Sequence, residues 1–252
     1  MEHLVQHAVT TIRERYGEPL SLDELARSAM VSKYHFLRMF SRVTGVTPGR
    51  FLSAVRLQEA KRLLLRTSFT VADISAAVGY SSTGSFTRRF AESVGLPPTQ
   101  YRKLSLGARD ETRERTSAEA AAPVPVPAAR CTGSLTGTLR TAGAALAPVY
   151  VGAFDSPIVQ GTPASWSNAS APGRFRLARV PQGTWYIHAV ARVRHPGSVA
   201  DPDLTPLMAT VGPVRVEDDT AHRVDVTLSP PDWTRPPILS ALLGIEPQPT
   251  AA

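Results

Sequence analysis

Apolar residues recur at helical spacing through the first hundred positions of this chain, and from about residue 131 the spacing drops to two. Leu4, Val5, Ala8, Val9, Ile12 and Tyr16 return every three or four residues and stop at Gly17, a residue suited to ending a helix. Ser21 to Ala29 predicts a short amphipathic helix with a capping box, Ser21 as N-cap and Glu24 at N3. After a tight turn through Met30-Val31, Phe36, Met39, Phe40 and Val43 form an apolar stripe that requires a core. Lys33, Tyr34, Leu37 and Arg38 fall on the other side, so this helix presents two cations and an aromatic ring outward. Thr47-Pro48 then supplies an N-cap and an N1 proline for a long helix to about Arg66. Leu52, Val55, Ala60, Leu63 and Leu64 face inward in that helix, and Arg56, Lys61, Arg62 and Arg66 are assigned to its outer side.

The pattern then repeats. Fifty residues on, Ser82, Phe86, Arg88, Phe90, Gly95, Pro98 and Tyr101 answer Ser32, Phe36, Arg38, Phe40, Gly45, Pro48 and Phe51. The helices before them match at an offset of 49 through Leu22/Val71, Glu24/Asp73 and Leu25/Ile74, with a one-residue insertion near Gly79-Tyr80. Thr70 and Asp73 form the corresponding cap. A short helix, a turn and an amphipathic helix with a basic outer side, present twice, make two helix-turn-helix units. The helix between them spans about 27 Å at 1.5 Å per residue. That is close to the ~34 Å that separates successive major-groove faces of DNA.

Beyond residue 131, Leu135 and Leu139, Val149 and Val151, Phe175 and Leu177, Trp185, Ile187 and Ala189, Val214 and Val216, and Val224, Val226 and Leu228 alternate as half-buried strands. Pro181-Gln182-Gly183 makes a turn between two of them. Six or seven short strands predict a small antiparallel β-sandwich. Residues 106–130 run from a charged stretch into alternate prolines ending at Pro127, a semi-rigid polyproline spacer. The expected architecture is multidomain, α then β. Residues 1–105 form an all-α double helix-turn-helix domain, 106–130 a Pro/Ala-rich linker, 131–229 the β-sandwich and 230–252 a proline-rich tail. Within that tail, Ile238 to Ile245 reads either as one or two helical turns docked on a neighbour or as an unpacked segment.

Charge sharpens the division. Residues 1–105 hold 15 Lys and Arg against 8 Asp and Glu, whereas the remainder holds 13 of each, so the entire excess of +7 sits with the repeated helices. That is the electrostatic footprint of a polyanion-binding surface, with a merely solvated basic face as the alternative. A single cysteine, Cys131, excludes an internal disulfide framework and a multi-cysteine zinc site. The N-terminus carries no signal-peptide pattern and no apolar run reaches the ~18–20 residues of a membrane span, so the expectation is a cytoplasmic protein without a membrane partner.

The chemistry that fits is DNA recognition. An exposed helix enters the major groove, and arginine pairs bidentately with guanine there. Arg38 and Arg88 are placed for this, with Lys33 and Tyr34 in reach of a base edge or a phosphate. On the second helix Thr83, Gly84 and Thr87 are small, so the first helix carries more of the base readout and the second more phosphate contact and shape recognition.

Ser32-Lys33-Tyr34-His35-Phe36-Leu37-Arg38-Met39-Phe40, Gly45-Val46-Thr47-Pro48, Arg56, Ala60, Ile74, Val78-Gly79-Tyr80, Phe86, Arg88, Phe90, Gly95, Pro98 and Tyr101-Arg102 carry a resemblance. Residues 20–103 resemble the DNA-binding domain of the arabinose-regulator (AraC/XylS) family of bacterial transcription factors. The resemblance implies that Lys33, Tyr34, Leu37 and Arg38 enter one major groove and Thr83, Gly84, Thr87 and Arg88 the next. Ser32 and Ser82, at the two helix starts, complete the candidate DNA-binding set. Gly84 and Pro97 depart from the family's pattern, which commonly has a longer polar residue and a Ser or Thr cap there. The order of domains also departs from the commonest layout, in which an effector-binding jelly roll precedes the DNA-binding unit.

The segments Gly133 to Leu139, Ala147 to Val151, Gly173 to Leu177 and Val180 to Ile187 resemble carboxypeptidase-regulatory-like (transthyretin-like) sandwiches, although Ser170-Ala171-Pro172 stands where an acidic residue is expected. Such domains are usually accessory modules without catalytic residues. His188, His195 and His222 have no recognised metal-ligand spacing. Trp166, Trp185 and Tyr186 fit a sandwich core better than a ligand cleft, and the Asn168 sequon lacks a secretory context. The reading is a sequence-specific transcriptional regulator, not an enzyme, with no cofactor or metal. Its partners are promoter or operator DNA, RNA polymerase as a candidate, and an effector or protein at the β-domain. Two alternatives remain: a non-specific architectural DNA binder, and a DNA-alkylation repair enzyme that uses Cys131 as methyl acceptor.

Overall fold

The computed structural model describes residues 2–103, 132–141, 149–191, 207–230 and 232–241, which fall into two compact units. One holds the helices together with Ile158–Gly161 and Asp232–Ala241; the other holds the strands. The expected linker and Cys131 lie outside the described residues.

The helices are α1 (Glu2–Glu14), α2 (Leu22–Ser28), α3 (Lys33–Thr44), α4 (Pro48–Arg66), α5 (Val71–Ala77) and α6 (Thr83–Val94), with a further turn and a half at residues 98–103, α7. Ser21, Ser32, Thr47, Thr70 and Ser82 cap α2 to α6 in turn, each accepting from the backbone amide three residues on. These oxygens satisfy amides that have no partner inside the helix. The capping box closes in both directions at Thr70 and Asp73. At Ser21 only the forward bond takes this form, because the Glu24 carboxylate accepts from Arg15 Nη2 at 3.2 Å.

Each repeat is built on three aromatic rings. Phe36, Phe40 and Phe51 stand in series with centroids 5.7 Å apart at both steps. Phe86, Phe90 and Tyr101 reproduce the series at 5.6 and 5.7 Å. All six rings are buried, and α1 adds Val5, Ala8, Val9 and Ile12 to the same core.

α4 corrects the sequence reading. Buried residues occur nearly all round it, from Phe51, Leu52 and Ala54 to Leu57, Ala60 and Leu64, so its middle has no free polar side. Lys61, expected outside, is only 5% exposed; its Nζ donates to the Leu239 carbonyl at 3.1 Å and lies 5.6 Å from the centre of the Tyr101 ring. Leu239 is buried in the helical core, and residues 236–241 that carry it run without helix.

The other unit holds two four-stranded sheets. β1 (Thr132–Thr141) pairs antiparallel with β4 (Gly173–Pro181) and parallel with the short β7 (Ala221–Arg223) and β8 (Val226–Leu228). β3 (Ser165–Ala169), β2 (Val149–Phe154), β5 (Gly183–Ala191) and β6 (Leu207–Val216) form the second sheet in that order, all antiparallel. Leu135, Leu139, Phe175 and Leu177 of the first sheet and Val149, Val151, Ile187 and Ala189 of the second share one apolar cluster. The expected turn at Gln182 carries the chain from β4 in one sheet to β5 in the other, and Trp185 Nε1 donates across it to the Pro181 carbonyl at 2.7 Å. Sequence reasoning passed over β3, Ser-Trp-Ser-Asn-Ala, which carries no apolar alternation, and β7, which is three residues long.

Candidate nucleic-acid interface

The two outward helices are set by equivalent devices. α2 and α5 both end in a left-handed residue, Met30 at φ +54° and Gly79 at φ +82°. In each turn the next amide reaches back, Val31 to Ala26 at 3.2 Å and Tyr80 to Ser75 at 3.0 Å. The extra residue of the second unit is therefore Ser81, which lies between this turn and the Ser82 cap. α3 and α6 both stop at a left-handed glycine, Gly45 and Gly95.

On α3 the buried side is Phe36, Met39 and Phe40. Tyr34 is 81% exposed, Lys33 and Arg38 are exposed, and Leu37 is half-buried beside them. Lys33 is not unengaged: its Nζ meets Asp23 Oδ2 of α2 at 2.9 Å. On α6 the exposed side carries Thr83, Gly84 and Arg88 with Thr87 half-buried. The Ser32 and Ser82 hydroxyls accept from His35 N and Ser85 N, so their first duty is to hold the helix starts. Exposed His35, Arg42 and Arg89 extend these surfaces and were not singled out from sequence. Arg89 follows Arg88 directly, and its signal was the paired arginine itself.

Two arginines that sequence reasoning left without a role fasten the units. Arg56 of α4 donates from Nε to the Tyr16 carbonyl at 2.7 Å and from Nη2 to the Glu18 carbonyl at 2.8 Å. Arg102 of α7 does the same with the Leu64 and Phe69 carbonyls, at 3.1 and 2.7 Å. Each ties the helix after an outward helix to the end of the helix before its unit. Burial pulls the Arg56 guanidinium below its ordinary pKa, with Tyr80 opposing. Hydrogen bonds from the Thr70 side chain and backbone hold the Asp73 carboxyl below the usual range.

The β unit offers less. His188 is buried, with Nε2 2.8 Å from the Ser156 carbonyl and Nδ1 2.9 Å from Thr210 Oγ1. A carbonyl only accepts, so Nε2 carries the proton and the ring is satisfied within the fold. His222 Nε2 lies 3.0 Å from Thr220 Oγ1, and His195 falls outside the described residues. Among the described residues no group of three or more His, Cys, Asp or Glu is placed to hold a metal ion. Trp166 stacks on Tyr150 at 5.6 Å, while Trp185 packs against the sheet core. Tyr186 is half-buried. No helix among the described residues is long and apolar enough to cross a membrane.

Residues 25–104 match the family model described as a helix-turn-helix domain. The chain is 30% identical over 98 residues to the lactose operon transcription activator of Staphylococcus xylosus, covering 39% of this chain and 35% of that one. It is 40% identical over 91 residues to an HTH-type transcriptional regulator of Mycobacterium tuberculosis, covering 36% and 35%. Among solved structures it is similar to the C-terminal domain of AraT, a response regulator from Geobacillus stearothermophilus, at 26% identity over 48% of this chain and 92% of that one, with a TM-score of 0.39. The chain spans about a third of the length of the first curated relatives it matches.

Proposed function

We propose that this protein is a sequence-specific DNA-binding transcriptional regulator that inserts α3 and α6 into adjacent major grooves. The observation that carries the reading is the duplication itself. Two aromatic series of the same dimensions hold two helices whose outward sides each bear an arginine, Arg38 and Arg88. The charge excess of residues 1–105 draws the duplex in through its phosphates; the side chains of α3 then meet base edges, and those of α6 add chiefly phosphate contact and shape recognition. Lys33, Tyr34, Leu37 and Arg38 read the first groove; Thr83, Gly84, Thr87 and Arg88 occupy the second, with Ser32 and Ser82 fixing the entry of each helix. The relatives named as transcriptional regulators support the same assignment. Such a regulator acts in the cytoplasm, and the two sheets, read as a carboxypeptidase-regulatory-like sandwich, serve an effector, a partner or self-association.

A footprint of the full-length protein on the DNA upstream of its own gene, at near-physiological salt, tests this. Two protected segments about 10 bp apart on one face of the duplex are expected. Diffuse, strongly salt-dependent protection would replace the reading with that of an architectural DNA binder.

A further inference from the structure

We infer that Asp232–Ala241 is a strap that braces the two helix-turn-helix units against each other. These ten residues lie within the helical unit, with Trp233 packed on its core and hydrogen bonds to Arg13 of α1 and Val94 of α6. At one end Asp232, Trp233 and Thr234 face Met39, Arg42 and Val43 of α3 across a cavity of about 540 Å³, and the Arg235 carbonyl accepts from Arg13 Nη2 of α1 at 3.2 Å. At the other end Leu239 is buried in the core, and the Ala241 amide donates to the Val94 carbonyl at the end of α6 at 2.9 Å. Between them the carbonyls of Ile238 and Leu239 take the buried Lys61 ammonium from the C-terminal third of α4, at 3.4 and 3.1 Å. The strap therefore reaches from the last turn of one outward helix to the last turn of the other.

Its backbone suits that role. Asp232–Arg235 closes a turn in which the Arg235 amide donates to the Asp232 carbonyl at 3.3 Å, and residues 236–239 continue without helix or turn. Pro236-Pro237 occupy the middle of the strap, where they restrict the backbone and make a spacer rather than a slack tether. Two connectors, one helical and one fastened by hydrogen bonds at Arg235, Leu239 and Ala241, resist hinge motion that a single helix permits. The chain enters the strap directly after Leu228 of β8 and the three residues 229–231, so a change in the β unit has a covalent route to the spacing of α3 and α6.

Full-length protein with Arg27→Cys and Ala76→Cys, in a Cys131→Ser background, places a spin label on the exposed side of α2 and of α5. The distance distribution between the labels is expected to be narrow and to broaden when Leu239→Asp displaces the strap. The double variant P236G/P237G, which keeps the anchoring contacts, should broaden it by less. An unchanged width in a Leu239→Asp protein that is newly cleaved by protease within 232–241 overturns the proposal. So does an unchanged width in P236G/P237G together with a Leu239→Asp protein that is no longer folded. The DNA consequence rests on the function proposed above: Leu239→Asp should lose on the order of tenfold in affinity for a two-groove site and little for a half-site. Absence of any footprint with the unaltered protein would count against that function and leave the distance result standing.

Discussion

The two helix-turn-helix units differ where they face outward and agree almost everywhere else. Caps, left-handed stops, aromatic series and an arginine fastening each unit to the preceding helix recur with matching geometry. The outward side of α3 carries a lysine paired to Asp23, an 81%-exposed tyrosine and an arginine. That of α6 carries two threonines, a glycine and an arginine. At Gly84 an added Cβ would meet nothing closer than Ser82 Oγ at 3.9 Å, so packing does not demand glycine there. The scaffold is constrained by burial, whereas the exposed positions are free to follow whatever they bind.

The largest contrast lies in the turns. At Gly79 a Cβ would stand 2.7 Å from the Gly17 carbonyl oxygen and 2.9 Å from Arg56 Nη2, at φ +82°. Gly79→Ala is expected to cost about 3 kcal/mol, the sum of left-handed strain and overpacking. Met30 holds the equivalent left-handed position with its side chain 90% exposed. Met30→Gly should stabilise the protein by about 0.5–1 kcal/mol. Urea unfolding followed by the helical circular-dichroism signal measures both. A loss of stability in Met30→Gly would mean that the methionine is held by contacts rather than strained.

The second contrast is in readout. Arg38→Ala should cost about 1–3 kcal/mol of DNA affinity and relax the base preference at one position. Arg88→Ala should weaken binding to all sequences alike and lower the salt slope by about 1. Anisotropy titrations against an operator and its single-base variants separate the two. Equal and sequence-selective losses at both sites would overturn the division of labour between the helices.

What is legible in the sequence divides along the same line. Local signals were sufficient for several helices: Ser21, Thr47 and Thr70 announced their starts, and the apolar stripe fixed which side of α3 is buried. Contacts between distant segments left no local trace. Lys61 read as an outer cation because its partners, the carbonyls of Ile238 and Leu239, are backbone groups far along the chain. Arg56 was misassigned for the same reason, since the Tyr16 and Glu18 carbonyls that hold it have no side-chain signature. The pairing of Lys33 with Asp23 changes the candidate interface itself, and it depends on the angle at which α2 meets α3.

That pairing gives a smaller, third test. Asp23 and Lys33 are both largely exposed, so their ion pair is worth only about 0.2–1 kcal/mol. Asp23→Ala removes a carboxylate from beside the proposed phosphate path and releases the lysine. DNA affinity should rise by a few-fold at low salt, and the gain should shrink as salt increases. The second unit has no matching pair to release, because Thr83 stands at the position of Lys33. Unchanged affinity at every salt concentration would remove Lys33 from the interface.

The last contrast is between the caps, and it is read by pH. Thr70 holds the Asp73 carboxyl below its ordinary pKa through side-chain and backbone hydrogen bonds. The folded state therefore binds this proton less readily than the unfolded chain. Its contribution to stability is fully present above the unfolded value near 4 and is lost as pH falls through the lower folded value. Asp73→Asn abolishes that titration, so its unfolding midpoint should fall below that of the unaltered protein at neutral pH and converge with it on acidification. At the first unit Glu24 bonds Arg15 instead of closing the box on Ser21. A constant offset between Asp73→Asn and the unaltered protein from pH 6 down to pH 2 would mean that the charge of Asp73 has no part in the cap.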